Sequence, residues 1–492
     1  MSQSVNPYPI IDDRLNIHDS VHFGVLKGAQ SINNQVFSAQ TKTPNNITIN
    51  ALVPSLQTVI DRHVMLRTTF TLAFTGTVLT TGNRLIETDY SNWCLARFPF
   101  SQLVNTLSVQ INNTTVNSTY QDNLNLILRQ MSVEGLAKYS DLTPVSRDVY
   151  QSTASTGTLS QFRNFDTALD ADNLPRGSWK IDSVDAGNTV TTGASQVRTV
   201  KITVTVTEPI FCSPFIFGDA LEQGQSGLSG VSSLNFNFNL ASVCNRAMRY
   251  NNIGVNTNLS CTIDSIARAD LLVSFLSPKA DTLIPLTCSL PYYELPIFKT
   301  TLAAQDGTAS RVNSFQITSS IISPNCVPDK LYLAVRKDSG LVAVTDNDAY
   351  FPISAISITW NTQSGLLASA TLQDLYYMSK QSGLSTPYLE WVGIGNAPSN
   401  GIRYLAGGMI VLDFAVFIPL MESYYAPSSL GNWTFSVNVT CQNNTVVDSI
   451  PQVELLVGFL NSGIFQTTSG SSSQYIGVLD KQTCLSTSQE AP

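Results

Sequence analysis

The segment Val197-Arg-Thr-Val-Lys-Ile-Thr-Val-Thr-Val-Thr207 alternates apolar and polar side chains with a period of two residues. In an extended strand, that period puts every second side chain on the same face. The β-branched valines and threonines favour a strand over a helix. Similar patterns occur in Val64-Met-Leu-Arg-Thr-Thr-Phe-Thr-Leu-Ala-Phe74 and Leu234-Asn-Phe-Asn-Phe-Asn-Leu240. The chain is therefore predicted to be all-β, with one face of each strand buried.

A second set of strand-like runs follows, at residues 269–276, 330–336, 353–360, 409–420, 433–439 and 453–460. Turn signals such as Ser323-Pro-Asn separate them. Many strands in two successive sets, with long excursions between them, predict two tandem antiparallel jelly-roll β-sandwiches, a double jelly roll with long loop insertions. One short helix is predicted at Asp122–Met131, where the leucine and isoleucine side chains fall on one face.

The length of 492 residues is sufficient for two domains. We predict an N-terminal arm at residues 1–40, a first jelly roll at 41–254, a second at 255–480 and a C-terminal tail at 481–492. Residues 151–196 are polar, rich in Ser and Gly, and longer than an ordinary connection. They are predicted to form a loop insertion in the first jelly roll.

The composition is polar but poor in charge. Charged residues make up 13% of the chain, against roughly 25% in an average globular protein. A hydrophobic fraction of 43% distinguishes it from a disordered chain. The net charge of -8 provides no basic footprint for phosphates, so we predict no sequence-specific nucleic-acid binding.

No targeting or membrane signal is recognisable. The N-terminal residues lack a basic region followed by an apolar core, and the apolar run Gly408–Met421 contains Asp413 and is shorter than a membrane span. The eight cysteines are scattered without a C-x-x-C pair. They are predicted to be small buried apolar residues in a reducing compartment rather than zinc ligands or a disulfide framework.

Motifs of catalysis are missing from the sequence. The three histidines, His18, His22 and His63, have no recognisable triad partners, and no phosphate-binding, zinc-protease or dinucleotide motif occurs. We predict that the protein is not an enzyme and has no catalytic residues, no cofactor and no metal site. A polysaccharide hydrolase would need two carboxylates in one cleft, and no pair is indicated.

Three weaker signals each allow a structural and a functional interpretation. The sequence Asp346-Asn-Asp348 suits calcium ligands or a solvated turn, and we favour the turn because a calcium loop needs a Gly and a distal Glu. His63 after Asp61 and Arg62 suits a proton sensor or a strand-edge ion pair, and we favour the pair. Eight N-x-Ser/Thr acceptors occur in a chain rich in these residues, at Asn46, Asn112, Asn113, Asn117, Asn258, Asn432, Asn438 and Asn443.

Several short motifs resemble landmarks of the double jelly-roll capsid family. Pro54-Ser-Leu-Gln-Thr-Val-Ile-Asp-Arg62 resembles the motif that opens the first jelly roll, and Phe98-Pro99 and Ile111-Asn-Asn-Thr114 are similar to the segments that follow it. Landmarks of the second half are matched, in order, by Phe275-Leu-Ser-Pro278, Pro291-Tyr-Tyr-Glu294, Leu333-Ala-Val-Arg336, Ser364-Gly-Leu-Leu367, Gln373-Asp-Leu-Tyr376 and Glu390-Trp-Val-Gly393. Their order over residues 25–480 resembles the major capsid proteins of virophages and polinton-like viruses, in the adenovirus hexon-like lineage.

The resemblance implies a major capsid protein that acts as a building block of the virion. Three copies would form a homotrimer with six jelly rolls, a pseudo-hexameric capsomer that tiles the icosahedral capsid of a DNA virus and assembles inside the host cell. Implied partners are neighbouring capsomers and penton and minor capsid proteins, and the arm at 1–40 would lie on the inner face, where an internal membrane is another potential contact. The alternative is a secreted or surface-displayed β-sandwich that binds glycans or proteins.

Overall fold

A computed structural model describes residues 31–79, 85, 93–140, 142–145, 180–184, 195–217, 227–250, 256–277, 287–346, 349–396, 402–404, 407–420, 426–443 and 448–477. The strands of its first half are β1 (Ser31–Ser38), β2 (Thr41–Lys42), β3 (Asn46–Leu52), β4 (Val59–Ile60), β5 (Met65–Val78), β6 (Trp93–Leu95), β7 (Val104–Ile111), β8 (Thr114–Ser118), β9 (Lys180–Val184), β10 (Gln196–Pro209), β11 (Ser233–Leu240), β12 (Met248–Tyr250) and β13 (Asn256–Ser277). Three helices accompany them, α1 (Pro99–Leu103), α2 (Tyr120–Gln130) and α3 (Val133–Ala137).

The strands of the second half are β14 (Thr287–Glu294), β15 (Ile297–Leu302), β16 (Ser314–Thr318), β17 (Lys330–Lys337), β18 (Ile353–Trp360), β19 (Gln363–Leu366), β20 (Ile394–Asn396), β21 (Ile402–Tyr404), β22 (Ile410–Asp413), β23 (Phe435–Gln442), β24 (Val453–Thr468) and β25 (Ser471–Ile476). Two α-helices, α4 (Leu372–Gln381) and α5 (Tyr388–Val392), and a 3-10 helix at Ser339–Leu341 complete the described elements. Within these elements, no helix is long and apolar enough to cross a membrane.

Two antiparallel sheets form the first jelly roll. Sheet 1A has the order β1-β13-β5-β10-β9, and sheet 1B has the order β2-β3-β11-β7-β8. The eight long strands, numbered along the chain, are β1, β3, β5, β7, β8, β10, β11 and β13. The first, eighth, third and sixth of them build sheet 1A, and the second, seventh, fourth and fifth build sheet 1B, which is the jelly-roll arrangement.

The second half repeats this topology. Sheet 2A has the order β14-β24-β17-β22, with β15 and β25 also paired to β24, and sheet 2B has the order β16-β23-β18-β19. Counted along the chain, the strands again divide in the order first, eighth, third, sixth and second, seventh, fourth, fifth. The predicted double jelly roll is confirmed, and the same fold occurs twice although the two halves show no close sequence repeat over their length.

Each jelly roll has a core between its two sheets. In the first, Phe100 of α1 lies between Phe70 of sheet 1A and Phe238 of sheet 1B, with ring centroids 5.9 and 6.4 Å away. In the second, Phe435 of sheet 2B and Phe459 of sheet 2A meet edge to face at 5.1 Å. The alternation predicted for β5 is present, because its residues are alternately half-buried and buried along the whole strand.

The structure moves two of the predicted boundaries. Residues Ser31–Ser38, predicted as part of the arm, form β1 and pair with β13 along its last eight positions. β13, predicted as the beginning of the second jelly roll, pairs with β5 and β1 in sheet 1A, so the junction follows Ser277 and not residue 254. Apolar runs identify a strand, but only its pairing partners decide to which sheet it belongs.

The structure also covers the predicted helix and part of the predicted loop insertion. The predicted helix at Asp122–Met131 is confirmed as α2, which begins two residues earlier. Within the predicted insertion at 151–196, Lys180–Val184 forms β9 at the edge of sheet 1A. The remaining insertion residues 151–179 and 185–194, most of the arm and the tail at 481–492 lie outside the described residues.

Candidate assembly surfaces

Helix α2 belongs to the first jelly roll and packs against sheet 2A of the second. Oδ1 of Asp122 accepts a hydrogen bond from Nη2 of Arg336 at 3.0 Å and one from Nζ of Lys299 at 3.1 Å. Nε of Arg336 donates to Oε1 of Glu454 at 2.6 Å. Arg336, Asp122 and Glu454 are all buried, so charged groups from both jelly rolls meet away from solvent.

The electrostatics of this cluster depend on its pairing. Burial alone lowers the pKa of Arg336, but the neighbouring carboxylates of Glu454 and Asp122 overcome that effect and hold the pKa above its usual value. A buried ion pair recovers its desolvation cost only if its geometry is good and its remaining polar atoms are bonded. Arg336 meets this condition through a further bond from Nη1 to the carbonyl of Gln121 at 3.2 Å. The cluster therefore fixes where α2 lies on sheet 2A.

The C-terminal half of α2 continues the contact. The guanidinium carbon of Arg129 lies 3.8 Å from the centroid of the Tyr350 ring, and Nη1 of the same residue donates to the carbonyl of Gly407. The hydroxyl of Tyr332 donates to Gln130. With these contacts, nine of the eleven residues of α2 are buried.

A second contact between the jelly rolls lies at the β7–β8 turn, the Ile111-Asn-Asn-Thr114 motif. Asn112 has a positive φ of 52°, which asparagine tolerates better than most residues. Asn113 Oδ1 accepts from the backbone N–H of Ser472 in β25 at 2.7 Å, and Ser472 Oγ donates to the carbonyl of Ile111 at 2.5 Å. Thr114 Oγ1 donates to the carbonyl of Ser472 at 2.7 Å. The motif thus attaches the first jelly roll to the second.

Space remains between these two contacts. Cavities of about 260 and 440 Å³ lie between the jelly rolls. The larger is lined by apolar side chains together with Gln130, Tyr293, Asp329, Lys330 and Tyr332. Burial raises the pKa of Asp329. Besides the contacts of α2 and β25, the hydroxyl of Thr467 donates to the carbonyl of Ser229 at 2.6 Å, and the backbone N–H of Tyr293 donates to Oγ of Ser213 at 3.0 Å.

The outer faces of sheets 1B and 2B carry uncharged polar side chains. On sheet 1B, Asn46 Nδ2 donates to Oδ1 of Asn237 at 2.6 Å and to Oδ1 of Asn239 at 3.0 Å. The outward positions of its described strands are Thr41, Asn46, Thr48, Asn50, Leu52, Thr106, Ser108, Gln110, Thr115, Asn117, Ser233, Asn235, Asn237 and Asn239. Over these strands the face has no charged residue, so contact with a neighbour requires no desolvation of a charge.

The outer face of sheet 1A carries a row of paired threonines across β5 and β10. The hydroxyls of Thr69 and Thr205, Thr71 and Thr203, and Thr75 and Thr199 are each 2.9 Å apart. Charged side chains flank the row, including the exposed pair of Lys201 and Asp264, whose Nζ and Oδ1 atoms are 2.9 Å apart.

The weaker signals of the sequence are placed as follows. Asp346 Oδ2 accepts from Nζ of Lys337 at 2.6 Å and from the backbone N–H of Ala343 at 2.7 Å; residues 347–348 lie outside the described residues, so the turn stays a prediction. His63 Nδ1 lies 3.1 Å from Oδ1 of Asp61, and this contact lowers the pKa of Asp61. In the part of the chain that the structure describes, no cluster of three potential metal ligands occurs.

The cysteines that can be described are free thiols. Cys212, Cys244, Cys261, Cys326 and Cys441 are buried, and Cys288 is half-buried. Burial raises the pKa of Cys212 to about 12 and that of Cys326 to about 11, so both stay protonated at neutral pH. For these six, the prediction of small buried apolar residues is confirmed in five. Of the acceptor asparagines, Asn112 and Asn443 are buried, which leaves no room for a glycan in this fold.

Sequence inspection missed the buried carboxylates. Glu208 is buried and accepts four hydrogen bonds around the start of α1, from the N–H groups of Phe100 and Ser101 and the hydroxyls of Ser101 and Thr143. Neither Glu208 nor Glu454 stands in a recognisable motif. The available signal was a charged residue inside an apolar strand, as in Leu333-Ala-Val-Arg336, because such a residue needs a partner when buried.

Two family models match the chain. The model of the Sputnik virophage major capsid protein 1st domain matches residues 6–276, and that of the major capsid protein V20 C-terminal domain matches residues 298–463. The first match ends one residue before the end of β13. Both are consistent with a junction between the jelly rolls after Ser277.

Individual proteins match over nearly the whole length. The chain is 26% identical to the putative capsid protein V20 of Sputnik virophage over 509 residues, which covers 99% of this chain and 82% of that protein. A chain of the 3.5 Å cryo-EM structure of the Sputnik virophage matches with a TM-score of 0.78 and 24% identity, over 99% of this chain and 96% of that one. The crystal structure of the mavirus major capsid protein matches with a TM-score of 0.75 and 14% identity, over 100% and 99%.

Proposed function

This chain belongs to the family of the Sputnik virophage major capsid protein, and we propose that three copies of it associate into a capsomer of six jelly rolls that tiles an icosahedral shell. As a major capsid protein it is a component of the virion. The family is one of structural proteins and not an enzyme class. The secreted β-sandwich alternative is set aside, because both jelly rolls match capsid-protein models.

The repeated topology of the two jelly rolls carries this proposal. Sheets 1A and 2A contain corresponding strands in corresponding order, and so do sheets 1B and 2B. Because α2 and β25 connect the two jelly rolls into one block, each chain presents two similar units in a fixed relation. Three such blocks around a threefold axis place six similar units in a ring, which is a shape that packs in a hexagonal lattice.

The surface chemistry supports close packing of copies. Stable obligate interfaces bury upwards of about 2,000 Å². Burying that area is costly where unpaired charges must leave water. Apart from residues such as Leu52 and Ala355, the outer faces of sheets 1B and 2B carry Asn, Thr, Ser and Gln, whose hydrogen bonds can be exchanged between neighbours. These faces suit contacts with neighbouring capsomers or with minor and penton capsid proteins.

The acidic character of the chain favours a role in the capsid shell over a role in coating DNA. With a net charge of -8 it lacks the excess of cations over anions that phosphate neutralisation requires. We therefore infer that the protein encloses the genome without sequence-specific binding and that it performs no catalysis.

The test is the mass of the purified protein in solution, by light scattering behind a sizing column, followed by negative-stain microscopy. We expect three times the chain mass of 53.4 kDa and particles with a hexagonal outline. A monodisperse monomer at micromolar concentration, unchanged by salt and pH, would contradict the trimer.

A further inference from the structure

Helices α2 and α4 occupy corresponding places in the two jelly rolls. Each follows the fifth long strand of its jelly roll, β8 or β19, and precedes the sixth, β10 or β22. Each also begins with the same four-residue pattern, Thr119-Tyr-Gln-Asp122 for α2 and Thr371-Leu-Gln-Asp374 for α4. The local repeat is visible only after the topology has aligned the two halves.

The surroundings of the two helices differ. α2 is covered on one side by its own jelly roll and on the other by sheet 2A, which buries nine of its eleven residues. α4 packs on β22 and β18 of its own jelly roll, and of its ten residues, all described, two are buried, Leu375 and Ser379. Its outward side chains are Gln373, Asp374, Tyr377, Lys380 and Gln381, and Tyr377 is 63% exposed.

Sheet 1A is the counterpart of the sheet that covers α2. Its outer face is half-buried at the central threonines and exposed at Lys201. The paired hydroxyls of Thr71 and Thr203 hold this part of the face in one arrangement before any partner arrives. A preordered surface loses less conformational entropy on binding than a mobile one.

The charges are complementary in the same sense as in the contact within the chain. There, the aspartate at the third helical position of α2, Asp122, meets Arg336 and Lys299 of sheet 2A. In α4 the aspartate at that position, Asp374, is exposed and is bonded to Thr371 of its own capping box. Near the threonine row of sheet 1A, Lys201 and Arg268 are about half exposed, and each also pairs with a carboxylate of the same sheet, Asp264 or Asp270, much as Arg336 also pairs with Glu454.

We propose that the outer face of α4 docks on the outer face of sheet 1A of the next copy in the capsomer. The occupant of each face is therefore a second copy of this chain, and the contact between copies repeats the contact between the two jelly rolls of one chain. Such a head-to-tail contact closes into a ring when its rotation fits the symmetry. The inference rests on the proposed trimer and specifies which two faces form it.

The experiment compares variants of each face by light scattering. Thr71→Glu with Thr203→Glu introduces two negative charges on sheet 1A, and Tyr377→Asp introduces one on α4, each at a position that the proposed contact would bury. We expect both variants to be monomeric under conditions in which the native chain is trimeric. The matched control, Ser108→Glu with Asn237→Glu, places the same charges on the outer face of sheet 1B and is expected to remain trimeric.

A mixture of the two interface variants tests whether the two faces bind each other. It also tests whether both variants are still folded. The sheet 1A variant retains an intact α4, and the α4 variant retains an intact sheet 1A. Mixed at equal concentrations, they can form one intact junction, so we expect a heterodimer of twice the chain mass. Neither variant alone should form it.

The outcomes separate this inference from the trimer itself. A native monomer would refute the trimer. A native trimer with trimeric Thr71→Glu/Thr203→Glu and Tyr377→Asp variants would overturn the assignment of the two faces and leave the trimer standing. Monomeric variants that form no heterodimer at the highest soluble concentration would also overturn it. Thr75→Glu, further along the same threonine row, replaces the double variant if that variant loses the native near-UV circular dichroism spectrum.

Discussion

Two of the contacts between the jelly rolls, those of α2 and of β25, use different chemistry. At α2, buried charged groups meet, with Asp122, Arg336 and Glu454 in one cluster. At β25, neutral hydroxyl, amide and backbone groups meet, with Ser472 bonded to Ile111 and Asn113. A buried charge that loses its partner costs more free energy than a neutral group that loses one hydrogen bond. The α2 contact is therefore expected to be the more sensitive of the two, although both fix the same pair of domains.

The largest effect is expected from Arg336→Met. The substitution removes the cation between Glu454 and Asp122 and leaves buried carboxylates without it, at a cost of about 3–5 kcal/mol in the free energy of unfolding. Urea denaturation at one fixed chain concentration measures it, because the stability of an associating protein depends on concentration.

The control for that variant also removes the carboxylate charge of Glu454, which Arg336→Met leaves unpaired. In Arg336→Met with Glu454→Gln, the carboxylate of Glu454 is gone and Asp122 keeps Lys299, so most of the lost stability should return. If the double variant is as unstable as Arg336→Met, the cost lies in the packing of the arginine stem and not in the unpaired charge.

An intermediate effect is expected at Glu208, a buried carboxylate that neutral donors hold instead of a guanidinium. Burial raises its pKa above the ordinary value of 4.5, and the hydrogen bonds from Ser101, Phe100 and Thr143 offset only part of this. The folded state therefore binds this proton more tightly than the unfolded state. Its contribution to stability is greatest below pH 4.5 and declines as the pH rises through the folded pKa.

Glu208→Gln removes this pH dependence and tests its sign. Urea midpoints of the native chain and the variant are measured from pH 4.5 upward. The midpoint of the native chain should fall relative to that of the variant as the pH rises through the folded pKa of Glu208. The amide also places an N–H₂ group against donors, so the variant should be less stable by about 1–3 kcal/mol. A native curve that rises relative to that of the variant would show that the folded pKa is lowered.

The smallest effect is expected from Ser472→Ala at the neutral contact. The substitution removes the hydroxyl that donates to the carbonyl of Ile111, at a cost of about 1 kcal/mol. The neighbouring Ser471 is exposed and makes only a long hydrogen bond of 3.4 Å to Oδ1 of Asn113, so Ser471→Ala is the matched control, with an expected loss well below that of Ser472→Ala. A loss at Ser472 as large as that of Arg336→Met would remove the distinction between the two contacts.

Strands were predictable where alternation was strong. Val197–Thr207 lies within β10, and all of Val64–Phe74 except its first residue lies within β5. These two strands pair along fourteen residues, and the segment 353–360 coincides with β18. The apolar run at 409–420 was less informative, since only Ile410–Asp413 of it forms a strand. Hydrophobicity marks burial, whereas a strand also needs a partner to accept its backbone hydrogen bonds.

The helix α4 was not predicted although its sequence contains a start signal. Thr371 and Asp374 form a capping box, each bonding the backbone of the other. The segment was recognised only as the landmark Gln373-Asp-Leu-Tyr376. Only Leu375 and Ser379 of the helix are buried, and that exposure is what makes it a candidate contact between copies.

The sequence alone determined that this protein is a double jelly roll of capsid type, because alternation, low charge and the order of short motifs depend on local residue choices. The tertiary structure decided where one jelly roll ends, which helix is covered and which buried charges pair. These outcomes depend on contacts between residues more than 200 positions apart, such as Asp122 with Arg336 and Ser38 with Asp270. Local periodicity compares only residues close in sequence. Contacts between residues this far apart are therefore visible only in the folded arrangement of the sheets.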